Sequence, residues 1–193
     1  MHFSTLSSVF LLASSAVSFT IPKDHSNGVY MVSYQDGNEL HTLIADAGPS
    51  AITSRDTVQS AKFIKRQLPS GGTNVPHCNY IPLVHADTDA ANSALDKQCG
   101  TGATVGIGLD YYSIVGCTVA YFCNLSTTGS DTYKASERQA VSQELTADCG
   151  GYTSAWNTFT SPAGRNNMYG PEQYVWASGL LPVGGSQLLW LWD

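Results

Sequence analysis

The sequence predicts an α+β domain in which two helices pack on one face of a four-stranded antiparallel sheet. Segments with strand-like and helix-like patterns alternate in the order β-α-β-β-α-β between residues 78 and 160. Both helix-like segments end in the sequence Leu-x-x-x-Cys-Gly. All five cysteines lie between residues 78 and 149, which places the structured domain there.

The first strand and the first helix are predicted from an apolar run and a four-residue periodicity. The strand covers residues 78–84, and the helix runs from Ala90 to Cys99. Asp87-Thr88-Asp89 is predicted to cap the helix, and Gly100 to end it. An apolar residue recurs every four positions and predicts the inward stripe, which consists of Ala91, Leu95 and Cys99.

Two strands, a second helix and a fourth strand complete the pattern. The strands are predicted over residues 104–109, 116–124 and 152–160. The helix runs from Ser136 to Cys149 and opens with the capping box Ser136-x-x-Gln139. Its inward stripe is Val141, Leu145 and Cys149. The element order is that of the split β-α-β, ferredoxin-like motif.

The predicted topology assigns partners to four of the cysteines. Cys117 and Cys123 share one face of a strand but lie too far apart to bond to each other. Following the chain direction through the motif pairs Cys99 with Cys123 at one end of the sheet and Cys117 with Cys149 at the other. Cys78 is left unpaired.

The first eighteen residues are typical of a secretory signal peptide. The apolar stretch at residues 9–13 is too short to span a bilayer. Ala16 and Ser18 are the small residues expected before a cleavage that precedes Phe19. The chain is therefore predicted to be a secreted, extracellular protein with no membrane span.

Residues 19–66 have the features of a pro-segment. They contain no cysteine and end in Lys65-Arg66, a dibasic pair of the kind that secretory proteases cleave. The alternative is an ordinary basic pair on a helix face. Strand-like runs on both sides of Asp36-Gly37 predict a β-hairpin. We expect this hairpin to cover an apolar face of the domain until cleavage removes it.

In the C-terminal residues 170–193 the apolar residues follow neither the helical nor the strand period. This segment holds three of the four tryptophans. The prediction is a disulfide-stapled domain over residues 67–169, followed by an atypical tail that does not pack into it. One hypothesis is that a shifted frame or a retained intron has replaced the true C-terminus together with a sixth cysteine. The alternative is a genuine hydrophobic tail and a free or intermolecular Cys78.

The sequence contains only weak candidates for a catalytic or metal-binding site. His77, His85, Asp87 and Asp89 are the densest polar cluster, but helix capping is sufficient to explain Asp87, and a metal site needs a third firm ligand. Neither a dinucleotide fingerprint nor a nucleophile elbow occurs. No catalytic residue, metal or cofactor is therefore predicted. Scattered surface carboxylates are favoured over a catalytic pair among Asp110, Asp131, Glu137, Glu144 and Asp148.

The charge balance bears on nucleic-acid binding, and one short motif bears on glycosylation. After Arg66 the chain has four Lys or Arg against ten Asp or Glu, so nucleic acid is disfavoured as a partner. A monomer is expected. Asn124-Leu125-Ser126 is an N-glycosylation sequon, with an unmodified loop asparagine as the alternative.

Two stretches, Asp87–Gly100 and Ser113–Asn124, together with the signal and pro-segment, resemble fungal secreted effector-like proteins. Some of these are similar to killer toxins that adopt an α/β sandwich. The resemblance covers residues 67–160 and transfers no functional residue. It implies a killer-toxin-like fold and an effector or toxin that binds a surface component of a host or a competing microbe without catalysis. The alternative function is a small secreted hydrolase of cell-wall polysaccharide.

Overall fold

The computed structural model describes residues 19–23, 25–47, 72–161 and 164–173. Within these ranges the chain forms nine strands and two helices. In chain order they are β1 (Gly28–Gln35), β2 (Asn38–Ala45), β3 (Thr73–Pro82), α1 (His85–Cys99), β4 (Ala103–Val105), β5 (Leu109–Val115), β6 (Thr118–Asn124), β7 (Asp131–Tyr133), α2 (Ala135–Cys149), β8 (Thr153–Thr160) and β9 (Asn166–Gln173).

The main sheet differs from the predicted one. Its order is β2-β1-β5-β6-β9-β8-β3, with every neighbouring pair antiparallel, and β4 and β7 form a separate two-stranded sheet. The prediction of two helices on a four-stranded, ferredoxin-like sheet is therefore wrong. The β1–β2 hairpin extends the sheet beside β5, β9 inserts between β6 and β8, and β3 lies at an edge. The strand predicted over residues 104–109 is also wrong, because residues 104 and 105 belong to β4 of the small sheet and the strand beside β6 is β5.

Both helices pack on the same face of this sheet and share one apolar core. α1 lies over β5 and β6, whereas α2 lies over β3 and β8. The predicted inward stripes are confirmed, since their side chains are all buried. They are Ala91, Leu95 and Cys99 on α1, and Val141, Leu145 and Cys149 on α2.

The predicted N-terminal helix caps are not formed, whereas Gly100 ends α1 as predicted. α1 begins five residues earlier than expected, at His85, and neither Val84 nor Lys134 at the two N-cap positions makes a side-chain capping bond. Asp87 instead lies in the first turn of α1, where its carboxylate accepts a hydrogen bond from the backbone N–H of Cys117 at 3.1 Å. That bond attaches α1 to the turn between β5 and β6.

The opposite face of the sheet carries a second core that is rich in aromatic residues. Strand registers place Tyr30, Tyr112 and Tyr121 side by side on β1, β5 and β6, and Tyr121 is followed by Gly170 on β9. A Cβ atom at Gly170 would lie 2.8 Å from the Tyr121 hydroxyl and 2.6 Å from the carbonyl oxygen of Ala155. Glycine at this position therefore permits β9 to lie between β6 and β8.

The predicted boundary between domain and tail falls inside β9. Residues 170–173 belong to this strand and pair with β6, and Glu172 is buried. The tail therefore cannot begin before residue 174. Residues 174–193, the predicted signal peptide and the predicted processing site at Lys65-Arg66 lie outside the described residues.

The disulfide of the structure joins Cys78 to Cys149, with 5.4 Å between their Cα atoms. This confirms a disulfide-bonded domain but corrects the pairing, because Cys117 was the predicted partner of Cys149. α2 crosses β3, so its C-terminal end lies over Cys78. Cys99 and Cys123 remain thiols because they lie in the cores on opposite faces of the sheet, and Cys117 is an exposed thiol.

The substitution Gly170→Ala tests whether β9 lies between β6 and β8. We expect it to lower the free energy of unfolding by about 1–3 kcal/mol, because the added methyl group meets backbone and packed side chains. Gly129→Ala is the matched control, since a Cβ there meets no atom within 4 Å. Urea unfolding of both variants measures the effect, and equal stabilities would contradict the structure.

The disulfide is tested by non-reducing peptide mapping, which should link Cys78 to Cys149. Replacing both residues by serine should cost roughly 4 kcal/mol in the chain-entropy model, given their separation of 71 residues. Cys117→Ser, at an exposed thiol, should leave the unfolding midpoint unchanged. A peptide linking Cys117 to Cys149 would restore the sequence-based pairing and disprove this one.

Candidate functional site

A polar groove of about 610 Å³ lies between α1 and α2. Its charged residues balance, because two carboxylates face two cations. The remaining side chains that line it are neutral hydrogen-bonding groups. The residues are Asp89, Asn92, Ser93, Asp96 and Lys97 from α1, and Arg138, Gln139 and Ser142 from α2.

An ion pair joins the two helices at one end of the groove. Arg138 binds Asp96 through two parallel bonds, Nε to Oδ1 at 2.5 Å and a terminal nitrogen to Oδ2 at 2.7 Å. Gln139 donates a third bond to Asp96 at 3.1 Å. Such a bidentate pair fixes both side chains in one geometry. The groove therefore has a rigid polar end.

Aromatic side chains mark the other end, where α1 begins. The rings of His85 and Tyr152 stack with their centroids 3.7 Å apart, and the Tyr152 hydroxyl donates to the Asp89 carboxylate at 3.2 Å. Tyr80 lies in the irregular part of β3 between Cys78 and Pro82, just before the pair of Pro82 with Thr153, and is 69% exposed. β3 reaches this corner because the N–H of Leu83 donates to the Tyr152 carbonyl. We call Tyr80, His85 and Tyr152 the tyrosine corner, which is not the motif of the same name in β-sandwich proteins.

Both tyrosines have an unusual backbone conformation. Their φ angles are 57° at Tyr80 and 53° at Tyr152, in the left-handed region. A bulky residue is a genuine outlier there and costs about 1–3 kcal/mol. Neither ring is buried, so core packing does not compensate for the cost. Backbone strain of this kind clusters at active sites and ligand-binding sites.

The predicted polar cluster does not converge on one point. His77 stacks on Trp156 in the face opposite the helices, with ring centroids 4.8 Å apart. His85 and Asp89 belong to the tyrosine corner, and Asp87 binds the Cys117 N–H. Within the described residues, no three His, Cys, Asp or Glu side chains are grouped as a metal site requires.

The candidate carboxylates are dispersed as well, with one exception. Asp131 and Glu137 share Arg165, at 2.6 and 2.9 Å, and Asn167 donates a further bond to Asp131 at 2.6 Å. Burial raises the pKa of Glu137, and Arg165 partly offsets this effect. This cluster joins β7, α2 and the start of β9.

The other three carboxylates lie in separate places. Glu144 accepts bonds from Asn74 and Asn157, and Asp148 is exposed on α2. Asp110 is buried on β5 and accepts the backbone N–H of Asn124 at 2.9 Å. Burial raises the pKa of Asp110 to about 7, although the Asn124 N–H stabilises the ionised form.

The glycosylation predicted at Asn124 conflicts with the fold. This residue is buried, and its side-chain nitrogen donates to the carbonyls of Val105, Gly106 and Gly129 at 2.9–3.3 Å. A glycan would attach to that nitrogen and displace the bonds. Asn124 is therefore better explained as the residue that holds the loops after β4 and β6 together.

The sequence analysis missed a cluster of histidines around Tyr112. The Tyr112 hydroxyl lies 2.7 Å from Nδ1 of His25 and 2.9 Å from Nδ1 of His41. Nε2 of His41 is 3.4 Å from the Glu39 carboxylate. With neutral histidines, His25 donates to Tyr112, Tyr112 to His41 and His41 to Glu39. No sequence signal connects residues so far apart in the chain.

The chain matches no family model, and neither a curated protein nor a solved structure shows significant similarity to it. Neither helix among the described residues is long and apolar enough to cross a membrane. The groove and the tyrosine corner are therefore the features from which a function can be inferred.

Asp110 predicts a pH dependence of stability. Its folded-state pKa of about 7 lies above the ordinary aspartate value of 3.8, so the folded state binds more protons between these pH values and loses stability as pH rises through them. The full loss is about 4 kcal/mol. Asp110→Asn keeps the acceptor for Asn124 without the charge, so its stability should decline less between pH 4 and pH 8.

Chemical unfolding at several pH values measures this difference. Asp148→Asn, at an exposed carboxylate, should keep the pH profile of the unsubstituted protein. Parallel profiles for the Asp110→Asn variant and the unsubstituted protein would show that Asp110 ionises normally in the folded state.

Proposed function

We propose that this protein is secreted and acts outside the cell by binding a surface component of another cell, without catalysis. The site is the α1–α2 groove with its tyrosine corner. The observation that carries the proposal is the left-handed backbone at Tyr80 and Tyr152, with both rings left partly or largely exposed. Selection for packing alone would place glycine or asparagine at such positions.

The disulfide bond supports secretion. A disulfide such as Cys78–Cys149 persists in oxidising environments and is rare in the cytosol. The predicted signal peptide agrees with this environment.

The chemistry of the groove favours a neutral, hydroxyl-rich ligand such as a cell-surface glycan. Balanced charges do not attract a strongly charged ligand, whereas amide, hydroxyl and carboxylate groups pair well with sugar hydroxyls. The exposed rings of Tyr80 and Tyr152 offer flat apolar surfaces beside those groups. A sugar ring has the matching apolar face and polar rim.

The hydrolase alternative has less support. A glycosidase needs two carboxyl groups directed at a common substrate. In the groove, Asp96 is bound by Arg138 and Gln139, and Asp89 accepts the Tyr152 hydroxyl. Asp131 and Glu137 are both buried against Arg165.

The test combines Tyr80→Asn and Tyr152→Asn with binding to insoluble wall polysaccharides and to a glycan panel. Asparagine tolerates the left-handed conformation, so thermal stability should not fall. Loss of both rings should weaken binding at least about tenfold, because a few residues, often tyrosines, carry most of the affinity of a binding site. Ile107→Asn, at an exposed residue of the β4–β5 turn, is the control and should bind normally.

Two results would count against the proposal. Unchanged binding in the double tyrosine variant would show that the ligand binds elsewhere. Release of soluble sugars from any polysaccharide by the purified protein would support the hydrolase instead.

A further inference from the structure

We infer that cleavage after Arg66 produces a two-chain protein, in which residues 19–66 remain bound to residues 67–193. This inference goes beyond the proposed function. It replaces the expectation that the N-terminal hairpin covers the domain and is then discarded. Its basis is the place of β1 within the sheet, between β2 and β5.

The pairing of β1 with β5 is extensive. Six consecutive residue pairs, from Gly28 with Ile114 to Ser33 with Leu109, form an antiparallel ladder. β1 also contributes to the cores on both faces of the sheet. Val29 lies in the core beneath the helices, and Tyr30 and Val32 lie in the core of the opposite face. All three side chains are buried.

Departure of the hairpin would leave the larger chain with a defective edge. β5 would become an edge strand whose backbone N–H and C=O groups lack partners, and edges of this kind promote aggregation. Tyr112 and Ile114 on β5 are fully buried and would lose the side chains that pack beside them. Retention of the hairpin avoids both consequences.

Side chains reinforce the ladder across the same boundary. The Tyr112 hydroxyl of the larger chain bonds to His25 and His41 of the smaller chain at 2.7 and 2.9 Å. Phe19, the first residue after the predicted signal peptide, stacks on Tyr112 with ring centroids 5.1 Å apart. The smaller chain therefore holds Tyr112 through its N-terminal residues and through β2.

The position of the cleavage site in the topology explains why the two chains stay together. β2 and β3 are the two opposite edges of the seven-stranded sheet. Residues 48–71 connect these edges, which are separated by six strand spacings, or about 29 Å. Lys65-Arg66 lies in this connection and is the single adjacent basic pair of the sequence. Cleavage there breaks none of the strand pairs described above.

The test uses the secreted, uncut chain and a protease specific for Lys-Arg pairs. After complete cleavage, native mass spectrometry and gel filtration at micromolar concentration should give the mass of the uncut protein. Denaturing electrophoresis should give two fragments that begin at Phe19 and Gln67. Separation of the fragments under native conditions, or precipitation of the larger one, would overturn the inference.

Two variants test the contacts that hold the chains together. Tyr112→Phe removes the hydroxyl that bonds to both histidines, and we expect the dissociation constant of the cleaved protein to rise about tenfold or more. Tyr111→Phe, on the helix-facing side of the same strand, is the control and should change it less than about twofold. If Tyr112→Phe does not fold, His41→Gln replaces it. Equal dissociation constants would refute the role of the cluster.

Discussion

The fold depends on the insertion of β9 between β6 and β8. This strand joins two half-sheets, one formed by β2, β1, β5 and β6 and the other by β8 and β3. Each half carries one helix, with α1 over the first and α2 over the second. The groove between the helices therefore lies at the junction that β9 closes. Close packing at Gly170 makes that junction possible, because any side chain there would meet the backbone of β8.

The polar contacts follow the same division. The Asp96–Arg138 pair links the helices of the two halves, whereas the Cys78–Cys149 disulfide fastens α2 to β3 within the second half. Arg165, just before β9, binds Asp131 and Glu137 and so attaches the inserted strand to β7 and α2. Glu172, near its other end, accepts bonds from Ser154 and Asn79 on β8 and β3. Side-chain bonds thus secure both ends of β9.

Most local elements were predictable, although β5 was not assigned and the strand expected over residues 104–109 is not formed. The assembly of the elements was not predictable. Apolar spacing correctly indicated both helices and their buried stripes, and Asp36-Gly37 correctly indicated the β1–β2 hairpin. β9 was missed because Gly170 and Pro171 argue against a central strand. Pro171 is tolerated because it pairs with Ala120 on β6 and lies beyond Tyr169, the last residue in register with β8. The disulfide and the groove were missed for the same reason, since both depend on strand order. The backbone angles of Tyr80 and Tyr152 leave no pattern in the sequence.

The N-terminal hairpin and the groove are connected through α1. Every side chain that lines the groove belongs to residues 67–193, so cleavage after Arg66 removes none of them. Val29 and Met31 of β1, however, pack into the core beneath α1, beside Ala91 and Leu95. The hairpin therefore supports the helix that supplies Asp89, Asn92 and Asp96 to the groove. If the smaller chain departed, α1 would lose part of the apolar surface on which it packs. The side chains that α1 contributes to the groove would then change position. Retention of the smaller chain is thus a structural requirement of the proposed binding site.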